Sequence, residues 1–410
     1  MHTARQEEIL ARARAAAGKA AAYGEDLDLN SYRVSAATLP YLNDPTQLAA
    51  EDRARLLAAG VDVTGSDRAG TFIQINQSVV HCGVAQEGLE VLSTAEALEK
   101  YPWAEEYWWR AVLPDQDKYT AHVALAPQRN GYFIRALPGA RAVYPLQACL
   151  YLQQEGAVQD VHNIVIAEEG AELHLVSGCT SAARVKHGAH IGISEFYVKK
   201  GARLTFTMIH NWAEGVAVRP RSGTVIAEGG LFLSNYVCLQ PVRTMQMYPT
   251  AWLQGPGAVA RYYSILVAPP GSSMDVGSRV VLQAPRTRAE VVARTLTTGG
   301  EIINRGCLVA EAPEVKAHLE CRGLVLAETG VIHAIPELLA KVGNVDLSHE
   351  AAVGKIAEEE IEYLMARGLS EDEATATIVR GFLNVQMMGL PPALQAEIDK
   401  AVEAGEKALF

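Results

Sequence analysis

Cys321, His349 and Glu350 are the residues of this 410-residue chain whose types and spacing point to chemistry. A thiolate, an imidazole and a carboxylate are three of the side chains that bind iron or zinc. Their spacings are 349 − 321 = 28 and 350 − 321 = 29, so the three meet only if the chain folds back on itself. A thiolate beside an imidazole has a lowered pKa and is a better ligand and nucleophile. Cys321 closes HLEC, a period-two strand pattern, whereas His349 and Glu350 in LSHEA are expected just ahead of a helix. The alternative is a buried strand cysteine and two ordinary helix-start residues. A second group joins Cys179 in VSGCTSA to His210 and Trp212 in IHNWAEG, with 210 − 179 = 31. Taken singly, these are more commonly a buried free cysteine and a core tryptophan. His174, His187, His190, His318 and His333 lack such spacing and read as structural or solvated.

The elements that must position these residues change character along the chain. TARQEEILARARAAAGKAAAY is rich in helix formers, and EDRARLLAAG is a short helix stopped by Gly60. TFIQINQSVVHCGV alternates as a half-buried sheet requires, and TAEALEKYPWAEEYWWR returns to helix with Thr94 as cap and Pro102 as break. Residues 1–117 therefore read as a mixed α+β segment. From 118 to 345 helical periodicity nearly vanishes, and short apolar alternations recur between glycines at 170, 201, 229, 257, 300 and 330. The intervals are 31, 28, 28, 43 and 30, with Gly271 dividing the long gap. A near-constant period of that size predicts a solenoid, a parallel β-helix, with a two-sheet sandwich as the alternative. The fold class is thus mainly β. Residues 346–410 read as a helical domain: Ser370 to Glu373 form a capping box, and Ala374, Ile378, Phe382 and Val385 fall on one helix face. Pro391 and Pro392 end that helix before a last one, and the Met387–Met388 corner offers an adaptable apolar surface.

Composition narrows the function. A net charge of −11 argues against nucleic acid or an anionic membrane as partner. Six cysteines without a CxxC pair, no apolar signal segment and no membrane-length apolar run predict a reduced, soluble, cytoplasmic protein. The phosphate loop GxxxxGK[ST] is absent, so ATP hydrolysis by that route is not expected; GxGxxG, HExxH and GxSxG are absent as well.

With these residues in view, the chain resembles the SufB/SufD family, the scaffolds of iron–sulfur cluster assembly in the SUF system. The resemblance runs from about Thr94 to Pro392 through TAEALEKYP, GYFIRALPGARAVYPLQACLYL, IVIAEEGAELHLVSGCT, IHNW and CRGLVLAETGVIHAIPEL. Its longest stretch is LSHEAAVGKIAEEEIEYLMARGLSEDEATATIVRGFL. It implies a β-helix flanked by N- and C-terminal helical segments. It also implies that Cys321 binds the nascent cluster, that Glu350 lies near it, and that His349 contributes across a dimer interface. One chain carrying all three would serve both SufB and SufD roles as a homodimer. Cys179 matches the cysteine that receives sulfur, and Trp212 a tryptophan of the sulfur path; His210 stands where the family usually has Gln, and Glu228 near its lysine. The partners implied are a SufC-type ABC ATPase docked on the C-terminal helices, a sulfur donor and apo-protein acceptors. Glu350 is then either an oxygen ligand or the group that orients His349. The alternatives are a SufD-like structural partner that binds no iron and, more remotely, a β-helix that acts on polysaccharides.

Overall fold

The computed structural model describes residues 3–34, 38–65 and 67–383. Two long sheets, of 12 and 10 strands, face each other as the two walls of a parallel β-helix. In each coil a strand of the first sheet turns into a strand of the second. Ala157–Ala167 leads to Glu172–Ser181, then Gly188–Val198 to Arg203–Asn211, and so on to Val331–Ala340 and Val345–Gly354. Alternate residues point inward, so Leu173, Leu204, Phe232, Val291 and Leu319 fill one continuous core. Phe196 packs against Phe206 and Phe232 with ring centroids 4.6 and 5.3 Å apart, a ring contact that bridges the two walls.

One corner shows how the sequence sets the coil. Gly139, Gly170, Gly201, Gly229 and Gly257 stack there with φ between 63° and 72°, in the left-handed region. A Cβ at any of the five would meet nothing within 4 Å, so the glycines answer to backbone conformation and not to space. The corner then continues through Arg286, Glu314 and Asn344 at φ 59°, 61° and 56°. The hydrogen-bond ladder is unbroken, with Gly257 N donating to Pro285 O, Arg286 N to Glu314 O and Glu314 N to Asn344 O. The long gap in the glycine series is therefore no irregularity. Gly300 belongs to the opposite corner, over Ser272, and Gly330 stacks on it there, while three non-glycine residues keep the first corner going.

The two ends differ. At the N-terminal end the hairpin Gly70–Ile75 and Ser78–Val84 caps the second sheet, and Leu89–Ser93 caps the first by antiparallel pairing. The helices Ala4–Ala16 and Lys118–Leu125 pack on each other and on the outer face of the first sheet. Lys118–Leu125 corrects the expected onset of pure β structure at residue 118: an Asp117 capping box and burial of Tyr119, Ala121 and Val123 make a helix there. The cap of Thr94–Lys100 is Ser93, with Thr94 the first helical residue. At the other end, Val331–Ala340 and Val345–Gly354 each pair on one side only among the described residues, which leaves two strand edges without a neighbour there.

The last strand sits where a helical segment is expected to begin. The strand runs through Gly354, well past the expected boundary at 345, so His349 and Glu350 lie within a strand. Pairing along all of Val315–Leu324 outweighs the helix-forming composition of LSHEAA. The helices Glu358–Met365 and Glu371–Leu383 follow. The second starts on the expected capping box, with Ser370 Oγ 2.9 Å from Glu373 Oε2. Its buried stripe is Ala374, Val379 and Leu383, with Ile378 and Phe382 at the margin. Val379 and Leu383 join Val292 and Leu296 on the outer face of the second sheet. Val385, the Met387–Met388 corner, the proline stop and the last expected helix lie outside the described residues.

Candidate functional site

The register of the last two strands decides which candidate ligands meet. Leu319 lies opposite His349, Glu320 opposite Glu350 and Cys321 opposite Ala351, so the coil length here is 349 − 319 = 30. A separation of 28 misses the register by two and keeps His349 on the inward face with Cys321, one strand along and diagonal to it. A separation of 29 misses by one, and Glu350 falls on the opposite face. Sequence spacing thus brings two of the three residues together. Among the described residues, no three His, Cys, Asp or Glu side chains are grouped closely enough to hold a metal ion.

Glu350 has its own partners. Its carboxylate lies 3.0 Å from Arg322 Nη2, and Arg322 Nε lies 2.8 Å from Glu320, which in turn is 2.8 Å from Arg294. The Arg294 guanidinium sits over the Phe382 ring at 6.0 Å. An alternating charge ladder on the outer face therefore connects the last strand to the helix Glu371–Leu383.

Cys321 is 1% exposed. Burial, helped by the nearby Glu320 charge, pushes its thiol up to about 11, while Arg294 and a hydrogen bond with Asn304 pull the other way. At neutral pH it is a protonated thiol beneath the final strand. His349 is exposed, on the strand that covers it. Together they offer one soft and one borderline ligand at the open end of the solenoid.

The second group is assembled more closely than its spacing alone required. Cys179 pairs with His210, and His210 with Cys238, in one inward column across three coils. The register here is 31, equal to the spacing of Cys179 and His210. His210 Nδ1 is 2.8 Å from Tyr236 Oη, and Trp212 lies between His210 and His190 with centroids 5.8 and 4.9 Å away. His190, read as structural or solvated, is buried beside this group, with Nδ1 3.0 Å from Gln159 Oε1. Burial pushes Cys179 and Cys238 up to about 12 and drives His190 down to about 3; burial and neighbouring His190 keep His210 well below its usual value. Every member is thus neutral at pH 7. Sequence reasoning misses Cys238, although 238 − 210 = 28 is a coil length also found between successive glycines. A cavity of about 30 Å³ borders Met208, Tyr236 and Ser264 in the lumen, room for about one water. Ser264 and Tyr236 share the inward column that runs through Ala293 to Cys321 and ends at Ala351.

Fold and site define a β-solenoid protein with interior thiols on either side of a buried histidine and, among the described residues, one end without a partner strand. Residues 150–382 match the family model described as SUF system FeS cluster assembly, SufBD core domain. An iron-sulfur cluster assembly SufBD family protein of Archaeoglobus fulgidus is 51% identical over 359 residues, 88% of this chain and 96% of its own length. One of Methanothermobacter thermautotrophicus is 45% identical over 407 residues, 98% of this chain and 99% of its own. The iron-sulfur cluster assembly protein SufB of Bacillus subtilis is 30% identical over 342 residues, 82% of this chain and 73% of its own. The chain belongs to the SufBD family, whose role is iron–sulfur cluster assembly. Among the described residues no helix is long and apolar enough to cross a membrane.

Proposed function

We propose that this chain is a cytoplasmic homodimeric scaffold on which an iron–sulfur cluster is built and handed on, with ATP used by a separate SufC-type ABC ATPase. The cluster is cargo, not a resident cofactor. Cys321 supplies a thiolate to iron and His349 a nitrogen, while Glu350, held by Arg322 on the outer face, fixes the strand that carries His349. The observation that carries this reading is the placement of Cys321 and His349 on one face of the last two strands, at the bare end of the solenoid. Val331, Leu338, Leu339 and Val353 are each more than 40% exposed there, an apolar edge suited to a second copy about a twofold axis. A second copy would bring the Cys321 of one chain toward the His349 of the other and form the site twice.

The ATPase docks on the helices after Gly354. The charge ladder from Phe382 through Arg294, Glu320 and Arg322 to Glu350 supports a mechanical link from that docking site to the strand covering Cys321. Sulfur from a donor enters at Cys179 and passes His210 and Trp212, and finished clusters go to apo-protein acceptors. Anaerobic reconstitution with iron and sulfide, read by absorbance and Mössbauer spectra, tests the assignment. Wild type is expected to hold a cluster and Cys321→Ser to hold none; a full cluster in the serine variant would sink it.

One observation favours a second reading, a SufD-like partner that docks the ATPase and binds no iron: the Glu350 carboxylate faces away from Cys321 and is engaged by Arg322. That reading expects a Cys321, His349 and Glu350 triple alanine variant to support cluster maturation in cells as well as wild type does.

A further inference from the structure

A pocket of about 600 Å³ lies on the outer face of the first sheet, away from the coil interior and from the helix Glu371–Leu383. Its walls come from residues 22–23 and 110–117 and from the middle strands of the solenoid, and its volume falls within the range of small-molecule sites. Tyr23, Tyr248 and Trp252 provide aromatic surface. Tyr23 is fixed there, its ring 5.7 Å from that of Tyr248 and 4.0 Å from the Arg305 guanidinium, which is itself bonded to Asp275.

Charge and hydrogen bonding say what would fit. Arg110, Arg221 and Arg279 all line the pocket, against one carboxylate, Asp117, which is already bonded to Arg221 Nε at 2.7 Å. This is a cationic hollow in a chain of net charge −11. Arg221 is only 4% exposed, and Gln246 3%. Among the described residues, Arg221 Nη2 and Gln246 Oε1 are buried with no hydrogen-bond partner. A buried guanidinium nitrogen and a buried amide oxygen left unmatched are each costly, and one asks for an acceptor while the other asks for a donor. A nucleotide meets both, and also has a flat face for the aromatic wall and negative charge for the arginines. Glutamine amides pair with the edge of adenine, whose exocyclic amine is the donor that Gln246 lacks. Aromatic side chains stack on any base.

We propose that this pocket binds an adenine mononucleotide, with the ring against Trp252 and Tyr248, the amine toward Gln246 and the phosphate toward Arg221 and Arg279. It is separate from the cluster site and does not depend on how that site works.

Isothermal titration of the full chain tests it with AMP, adenosine and inorganic phosphate as probes. The expected result is one AMP per chain, with adenosine and phosphate each about tenfold weaker or more, since each lacks one half of the contacts. Trp252→Ala and Arg279→Ala are each expected to weaken AMP about tenfold or more, and Arg279→Lys less. Arg279 is exposed and Trp252 half-buried, and circular-dichroism melts of both variants confirm that the fold is kept. No heat with millimolar AMP, phosphate binding as tightly as AMP, or AMP affinity unchanged in a folded Arg279→Ala protein would each overturn the proposal.

Discussion

Cys179 and Cys321 are equally hidden, each 1% exposed, yet they sit in different mechanical settings. Cys179 lies mid-solenoid, with coils stacked on both sides and His210 against it. Cys321 has one strand between it and the bare end. Burial percentage does not distinguish them; the number of coils that must part does. Reaching an interior thiol with neighbours on both sides requires several coils to part together, whereas one beneath an edge strand is opened by local fraying. The difference suits Cys179 to holding a group inside the coil and Cys321 to exchanging one with the outside.

The strongest way to break the comparison is substitution under direct sulfide supply. Cys321→Ser should lose essentially all reconstituted iron, whereas Cys179→Ser should keep wild-type iron when sulfide bypasses the donor; equal losses would make the two thiols equivalent. Alkylation followed by mass spectrometry comes next. Arg322→Ala cuts the ladder that holds Glu350, and the iodoacetamide rate at Cys321 should rise about tenfold while Cys179 stays protected. The third test is pH. The Cys321 thiol has a folded pKa raised from 9.0 to about 11, so the unfolded chain loses that proton first, and stability falls as pH rises from 9.0 to about 11. In urea titrations the wild type should lose about 2 kcal/mol more across that window than Cys321→Ser does.

The smallest effect concerns the turns that precede the two thiol strands. Gly170, at φ 68°, precedes the Cys179 strand, and Glu314, at φ 61°, precedes the Cys321 strand. Gly170→Ala should cost about 1 kcal/mol, and Glu314→Gly should stabilise by up to about 1 kcal/mol, both read from denaturant midpoints. Such a result would mean that the coil nearer the open end carries backbone strain that the central coil lacks.

Much of this was legible in the sequence. The solenoid was, because a glycine with free space around its missing Cβ marks a left-handed corner, and Gly170, Gly201, Gly229 and Gly257 repeat it. After Gly257 the corner passes to Arg286, Glu314 and Asn344, of which only the asparagine is a type that favours the left-handed region, so Arg286 and Glu314 go unannounced. The continuation of strand through LSHEAA was hidden because helix formers there are overruled by pairing to the Cys321 strand, a contact one whole coil away along the chain. The same register explains the site. A spacing of 28 put His349 near Cys321, but only a known coil length of 30 reveals that 29 sends Glu350 to the other face. His190 and Tyr236 joined the Cys179 group from strands whose register the sequence did not state.

The proposed sharing of Cys321 and His349 between two copies is the point to break, because within one chain the two already lie diagonal to each other on neighbouring strands. Mixed dimers of differently tagged Cys321→Ser and His349→Ala chains test it most directly, with iron counted per dimer after anaerobic reconstitution and the cluster checked by Mössbauer spectroscopy. Each parent homodimer should be empty. If the site is shared, the mixed dimer pairs one intact Cys321 with one intact His349 and holds about half the wild-type iron. A mixed dimer as empty as its parents would contradict the account.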